Sequence, residues 1–420
     1  MDTLIAGGGI GGLVTALSLH AAGIPCRVYE AVPELKPLGV GINLLPHAVR
    51  ELCELGLQEK LAAIAIPTAE LIYANRHGQQ IWQEPRGMAA GYHWPQYSIH
   101  RGQLQMLLLA AVQERLGADR VLTDHQLVDF SQQDKRVNAV FERADDSRVS
   151  ANGALLIGAD GIHSTIRKRF YPDEGEPIWN GNVLWRATTR GKPYLTGRSM
   201  VMAGHQSQKF VCYPISKEAE DNGEALINWI AEIRFSDLQA WSKSDWNRQV
   251  PISDFLPAFE DWDFGWLKVP DIIRGTEAVY EYPMVDRDPV EAWSFGRVTL
   301  LGDAAHPMYP IGSNGASQAV LDARRLTWHL ASSGGVEEAL KAYDAERRPA
   351  TAQIVLANRQ NGPEQAMEMV HERAPDGFEN LRDIVSAEEL ANTADHYKSL
   401  AGFDKDTLNN RESWNARFSG

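Results

Sequence analysis

The sequence predicts an α/β protein whose doubly wound domain is assembled from separated stretches of chain, interrupted by a β-rich insert and followed by C-terminal helices. Three observations predict it. Residues 4–30 read strand, glycine turn, helix, strand. Two later apolar runs, near 154–160 and 298–303, each close on a Gly/Asp turn. Between them, from about 178 to 282, glycine-rich turns disappear while tryptophans and tyrosines thicken over strand-like pieces.

The opening stretch is the most specific. Leu4-Ile5-Ala6 is a short apolar strand that runs into Gly7-Gly8-Gly9-Ile10-Gly11-Gly12. An amphipathic helix follows, with Leu13, Ala16, Leu17 and His20, and a second strand, Cys26 to Tyr29, ends on Glu30. This is G-x-G-x-x-G in the setting it requires, between a strand and a helix with an acid after the next strand. Gly7 permits the turn, Gly9 leaves room for a pyrophosphate, and Gly12 lets helix and strand approach closely. Phosphates are expected at the helix N-terminus around Ile10, and Glu30 is expected to accept from a ribose. A bound dinucleotide follows.

Composition bounds the rest. The 420 residues suffice for two or three domains with a substantial core. With 41 Lys and Arg against 55 Asp and Glu, the formal charge of -14 argues against a nucleic-acid partner. Cys26, Cys53 and Cys212 lack C-x-x-C or metal spacing and read as buried thiols of a reducing, cytoplasmic compartment. No basic leader opens the chain, and no run of eighteen apolar residues suggests a membrane span. No metal constellation is expected, since His306 and Asp303 have no third ligand.

In chain order, Gly39 and Gly41 beside Asn43 suggest backbone passing close to something flat. A helix is expected from Pro46 to Leu57, with Arg50 off its apolar face as a solvated arginine or a cofactor contact. Hairpin-like strands fill 70–99, and His100-Arg101-Gly102 opens a helix. Short strands at 121–122, 126–130 and 137–141 lead to the buried run Ala154 to Gly161, followed by Ser164 and Arg167. In the insert, Trp185, Met200, Met202, Phe210, Tyr213 and Trp266 are candidates for lining an aromatic cavity or for forming that domain's own core. Val298 to Leu301 closes on Gly302-Asp303, where the acid can accept from a sugar hydroxyl. The turn Gly312-Ser313-Asn314-Gly315 can offer N–H groups to a partly anionic ring. A helix from Ser317 to Leu330, a long outer helix from Glu338 to about His371, and a polar tail of two short helices with a frayed end complete the expectation. Widely separated cofactor segments suit FAD, a long ligand, better than NAD alone.

Together these segments resemble the class A flavoprotein aromatic hydroxylases, the family of para-hydroxybenzoate and salicylate hydroxylases. The resemblance rests on Gly7-x-Gly9-x-x-Gly12 with Glu30, on Asp160-Gly161 with Ser164 and Arg167, and on Gly302-Asp303 with Ala304-Ala305-His306-Pro307. It spans residues 4 to about 350. It implies a discontinuous FAD-binding, Rossmann-like domain of glutathione-reductase type from 1–70, 100–177 and 283–372. A β-rich substrate domain from 71–99 and 178–282 and a helical tail from 373–420 complete the implied architecture. It also implies that Arg101 and, on the helix before, Arg50 contact the cofactor, that Asp160 and Asp303 serve it, and that Pro310 and the 312–315 turn lie at the flavin. The Gly312-Ser313-Asn314-Gly315 variant of that turn resembles the phenazine-modifying subgroup.

The implied activity is hydroxylation of an aromatic or heteroaromatic small molecule by O2, with NADH or NADPH as transient donor, through a flavin C4a-hydroperoxide. His205 and Tyr213 are the candidate catalytic side chains, while Arg186 or Arg198 could meet a substrate carboxylate. An oxidase, epoxidase or halogenase on the same fold and a non-catalytic flavin-binding redox protein are the alternatives. The halogenases' second tryptophan-rich motif has no counterpart here. A monomer or homodimer is expected.

Overall fold

A computed structural model describes residues 2–235 and 248–417. Met1, residues 236–247 of the expected substrate domain and residues 418–420 of the expected tail lie outside the described residues.

The apolar runs at 4–6, 155–158 and 298–300 do meet. They sit side by side in a six-stranded sheet ordered 294–295, 298–300, 155–158, 3–6, 26–29, 121–122. Every pair is parallel except the edge pair 294–295 with 298–300. Ile5 lies opposite Ile157, and Ile157 opposite Thr299. Strands buried on both faces have no use for alternation, which explains why these read as continuous apolar runs. Helices Ile10–Ala21, Arg101–Leu116 and Gly315–Ser332 cover the sheet.

The helix expected over 46–57 is two, Pro46–Glu54 and Gln58–Ala62, separated at Gly56, whose φ is +71°. After 121–122, the strands Gln126–Gln133 and Arg136–Glu142 are joined by a third, Arg148–Gly153, that the sequence reading missed. Its residues up to Asn152 are exposed or half-buried, so no apolar alternation marks it.

The insert is an eight-stranded sheet ordered 248–250, 279–286, 178–191, 225–234, 208–214, 199–205, 70–74, 80–85. Period-two alternation splits its side chains. Trp185, Phe210, Cys212 and Trp229 face a core with Phe255, Phe259 and Trp262. Leu184, Met200, Met202, Val211, Tyr213 and Ile230 pack together in a second cluster instead. The strand Tyr97–His100 pairs with Gly41–Leu44 and Ile66–Pro67 rather than with this sheet. Its end, His100, accepts from the Gln103 N–H and caps the helix that follows.

The long outer helix expected over 338–371 ends at Arg359. Asn361 and Gly362 take positive φ there and turn the chain, and a separate helix, Gln365–Arg373, packs against the insert. The two expected tail helices are Ala387–Leu400 and Lys405–Asn410, residues 411–417 run on without helix or strand, and the last of the expected frayed end lies outside the described residues. Ser386 and Glu389 form a reciprocal capping box for helix Ala387–Leu400. Beyond helix Lys405–Asn410, Arg411 pairs with Glu51 and lies over the Trp414 ring. Among the described residues, no helix is long and apolar enough to cross a membrane.

Candidate functional site

A cleft of about 560 Å³ runs between the six-stranded and the eight-stranded sheets. At one end lies the first turn. Gly7 takes φ +108°, and a Cβ at Gly12 would stand 2.0 Å from the Gly7 carbonyl oxygen, so strand and helix touch only through glycine. A Cβ at Gly9 would meet nothing within 4 Å, because Gly9 faces the open cleft together with Ile10. Helix Ile10–Ala21 has neither a side-chain cap nor an acid in its first turn, which leaves its first N–H groups for an anion. Glu30 accepts from the Gly8 N–H at 2.6 Å and the Val32 N–H at 3.0 Å, fixing its carboxylate beside this turn.

The second motif is held by its own helix start. Asp160 accepts from the Thr165 N–H at 2.9 Å, between Ala159 and Gly161, which both line the cleft. Burial pushes its carboxyl pKa up, against the Ser164 hydroxyl and nearby backbone N–H groups. Arg167, almost wholly buried, donates to the Ala305 carbonyl at 2.6 Å and to the Asp288 backbone carbonyl at 2.8 Å, and thereby locks the second motif onto the third.

In the third motif, Gly302, Asp303, Pro310, Ser313, Asn314 and Gly315 line the cleft, with Asp303 exposed there. A buried hub holds this segment. Asp322 accepts from the Gly302 N–H at 3.2 Å, lies 2.5 Å from His306 Nε2, and accepts from Arg347 at 2.8 Å. His306 is therefore a structural partner of the turn. Gly312 lies against Tyr397 of the tail, whose hydroxyl donates to Asn358 at 2.9 Å, and a Cβ there would strike that ring.

Two other expected contacts are divided. Arg101 lines the cleft beside Gly41. The structure does not bring Arg50 there, and Arg50 is not solvated either. Its guanidinium is buried against the tail, donating to the carbonyls of Leu408 at 2.8 Å and Arg411 at 2.6 Å. Its helix turns that face toward residues 408–411, a pairing that no local sequence signal announces.

The insert supplies the opposite wall. Tyr213, Met200 and Met202 line the cleft, whereas Trp185 and Phe210 stand on the other face of their sheet, where Trp266 packs from a loop. Burial pushes the Tyr213 phenol up to about 12, against the pull of Arg186, so it is a neutral hydroxyl at physiological pH. Arg186 also lines the cleft, donating to the Gly41 carbonyl at 3.1 Å, while its Nε meets no acceptor. Arg198 is elsewhere, paired with Glu220 at 2.6 Å. His205 is likewise outside the cleft. It lines a separate pocket of about 70 Å³ and stacks on His371 with ring centroids 3.7 Å apart.

Several residues escaped the sequence reading. Asn228 accepts from the Gly41 N–H at 2.7 Å, tying the loop to the insert. Lys209 and Glu232 lie in the cleft wall with Glu364. Asp322 was detectable, as an acid on the apolar stripe of the helix between Ala319 and Leu326. Asn228, Lys209 and Glu232 were not, because one polar residue in a strand does not reveal its partner.

The donor set fits FAD. Two uncapped helix starts, at Ile10 and Gly315, open on the cleft, and carboxylates at Glu30 and Asp303 can take sugar hydroxyls. Among the described residues, no cluster of three or more His, Cys, Asp or Glu could hold a metal ion.

Comparison with known proteins agrees with this geometry. The FAD binding domain family model matches residues 1–216 and 279–358. The chain is 49% identical to phenazine 1,6-dicarboxylic acid hydroxylase PhzS of Lysobacter antibioticus, over 85% of this chain and 89% of that one. It is 30% identical to 3-amino-4-hydroxybenzoate 2-monooxygenase PtnB3 of Streptomyces platensis, over 97% of each. Among solved structures, HpxO of Klebsiella pneumoniae with FAD and uric acid superposes with a TM-score of 0.75 at 23% identity, over 95% of this chain and 97% of that one. A salicylate hydroxylase substrate complex gives a TM-score of 0.73 at 21% identity, over 97% of each.

Proposed function

The chain belongs to the FAD-binding class A flavoprotein aromatic hydroxylases, and from that premise we propose which residues carry its reaction and which ring it accepts. It is an FAD-dependent monooxygenase that hydroxylates an aromatic small molecule. The domain limits implied by the resemblance serve as the working division, with the strand 97–100 assigned to the cofactor side.

FAD, when bound, supplies electrons taken from NADH or NADPH and the activated oxygen that enters the ring. The protein's share is binding, orientation and exclusion of water. Gly7, Gly9 and Gly12 admit the pyrophosphate to the helix start at Ile10, and Glu30 and Asp303 take sugar hydroxyls. Arg101, Asp160, Gly302, Pro310 and the turn Gly312-Ser313-Asn314-Gly315 frame the cofactor, with Gly41 on the facing loop. Arg50 contributes by anchoring the tail.

The observation that carries the substrate reading is the cleft floor. On paired strands, Lys209 lies opposite Glu232, Val211 opposite Ile230, and Tyr213 opposite Asn228. In the cleft, the Lys209–Glu232 pair and, four residues and therefore about 13 Å along the strand, Tyr213 bracket the apolar strip of Val211 and Ile230. That suits a fused, planar heteroaromatic acid of phenazine size, the class to which the Lysobacter relative's named substrate belongs. Arg186 is suited to a substrate carboxylate and Tyr213 to a ring substituent. The active particle is taken as a cytoplasmic monomer or homodimer.

The test is consumption of NADH and NADPH by FAD-loaded protein against phenols, salicylates, quinolones and phenazines, with mass analysis of products. The reading expects a phenazine or related heteroaromatic acid to accelerate consumption and gain one oxygen atom. Flavin-loaded protein that oxygenates no member of the panel would refute it.

A further inference from the structure

We propose that ligand recognition continues past Met200 and Met202 into a cationic recess where Arg86 and Lys398 hold a second carboxylate of the ligand, a reading that rests on a planar aromatic acid occupying the cleft.

The sheet of the insert lays a track toward that recess. Arg186 lies opposite Ile230, Ile230 opposite Val211, Val211 opposite Met202, and Met202 opposite Tyr73, so one row crosses five adjacent strands. In a neighbouring row Met200 lies opposite Leu71, and Leu71 opposite Glu84 on the edge strand Gln80–Pro85. From the strand of Arg186 to this edge strand is five strand spacings, about 24 Å between backbones. An arginine stands at each end. Arg186 lines the cleft, and Arg86 directly follows the edge strand.

The recess is a cavity of about 20 Å³, the space of one water at about 10–15 Å³. Met200, Met202 and Ser313 line both it and the cleft, so the two spaces adjoin across thioether side chains that readjust easily.

Its far wall is charged. Glu84 meets Arg86 at 2.5 Å through one oxygen and Lys398 at 2.7 Å through the other. Burial opposes the ionisation of Glu84, but the two cations outweigh it and hold its pKa below the ordinary value. One buried carboxylate therefore serves two cations. Asp395, 3.2 Å from Lys398, is three-quarters exposed, where water and salt screen it. Arg86 Nε meets no acceptor, and the buried Gln96 amide oxygen meets no donor. The two segments are pressed together, since a Cβ at Gly87 would stand 2.4 Å from the Gln96 backbone nitrogen.

A carboxylate supplies what this wall lacks. It gives Arg86 Nε an acceptor, offsets the surplus cation, and takes the Gln96 N–H2 once that amide turns over. A ring hydroxyl would leave the charge uncompensated. Because Lys398 comes from helix Ala387–Leu400, the tail becomes part of the ligand site.

The experiment titrates FAD-loaded protein with phenazine-1-carboxylate, phenazine-1,6-dicarboxylate and the monomethyl ester of the diacid, with binding read from flavin absorption. The wild type is expected to bind the diacid about tenfold or more tighter than the monoacid, the worth of one charged hydrogen bond. It is expected to hold the ester no tighter than the monoacid, which separates charge from size and needs no variant to fold. Arg86→Gln and Lys398→Met are each expected to lose most of the preference for the diacid. Equal wild-type affinity for the diacid and its ester, or an Arg86→Gln variant with the full preference, overturns the recess and leaves the reading of the cleft in place. Wild-type protein that binds none of the three overturns both.

Discussion

Gly41 donates its N–H to the Asn228 amide oxygen at 2.7 Å, and a Cβ on Gly41 would meet the Asn228 side chain at the same distance. One residue at the start of strand Gly41–Leu44 therefore joins the cofactor side of the cleft to the insert. Asn228→Ala strands a buried N–H, at a cost of roughly 1–3 kcal/mol. The expected outcome is a lower melting temperature together with weaker FAD retention, read by thermal unfolding and by flavin fluorescence on dilution. A variant that melts lower yet retains FAD fully would separate the clamp from the cofactor.

The first turn offers a cleaner separation of fold from ligand. Gly12→Ala places a methyl 2.0 Å from the Gly7 carbonyl oxygen, so the strand and helix must part. Gly9→Ala meets no protein atom within 4 Å. Gly12→Ala should therefore lose stability even as apoprotein. Gly9→Ala should melt as apoprotein like the wild type and fail to bind FAD, because its methyl stands where the pyrophosphate is to lie. Apoprotein calorimetry with FAD titration checks both.

Asp322 gives a prediction in pH. Burial opposes its ionisation, but His306 and Arg347 outweigh that, and its pKa lies below the ordinary carboxylate value. A depressed folded pKa means the stabilisation is complete above the unfolded value of about 3.9 and is lost as pH falls through the folded one. Melting temperature should fall with acid below about pH 4 more steeply in the wild type than in Asp322→Asn. At neutral pH, removing this buried partner from His306 and Arg347 should cost about 3–5 kcal/mol.

How much of this was legible in the residues depended on range. The glycine turns and the parallel core strands announced themselves, because strands buried on both faces must be continuous apolar runs. The division of the insert followed a period-two rule, but the six aromatic and methionine candidates could not be sorted without knowing which face met the cofactor domain. Met200 and Tyr213 went one way, Trp185 and Phe210 the other. His205 was misplaced for a related reason, since the end of its strand reaches past the cleft into the next pocket. Arg50 was beyond reach, its partners being 358 and 361 residues away.

That distance yields a prediction. Arg50→Ala leaves the Leu408 and Arg411 carbonyls without their donor and removes a cation from over the Trp94 ring. Loss of about 2–4 kcal/mol is expected from the broken buried contacts. FAD affinity of the folded fraction should stay near the wild-type value. A large loss of affinity at unchanged stability would return Arg50 to the cofactor.

Tyr213→Phe removes one hydroxyl from the cleft wall and leaves its packing. Because that phenol ionises only near 12, the pH profile below 10 should be unaltered. The KM for the aromatic substrate should rise several-fold, the worth of one hydrogen bond at about 0.5–1.5 kcal/mol. An alkaline limb that disappears in the variant would instead mark Tyr213 as a titrating base.

The contact of Tyr397 with Gly312 bears on biosynthesis. The turn proposed to seat the flavin ring is translated well before the helix that braces it, and the opening glycines earlier still. A nascent chain can therefore shape its pyrophosphate cradle while its isoalloxazine seat still lacks a buttress. On the proposed assignment, cofactor loading is expected to be a late event, coupled to the docking of the final helices, and a ribosome paused before residue 397 would carry a half-built receptor for its prosthetic group.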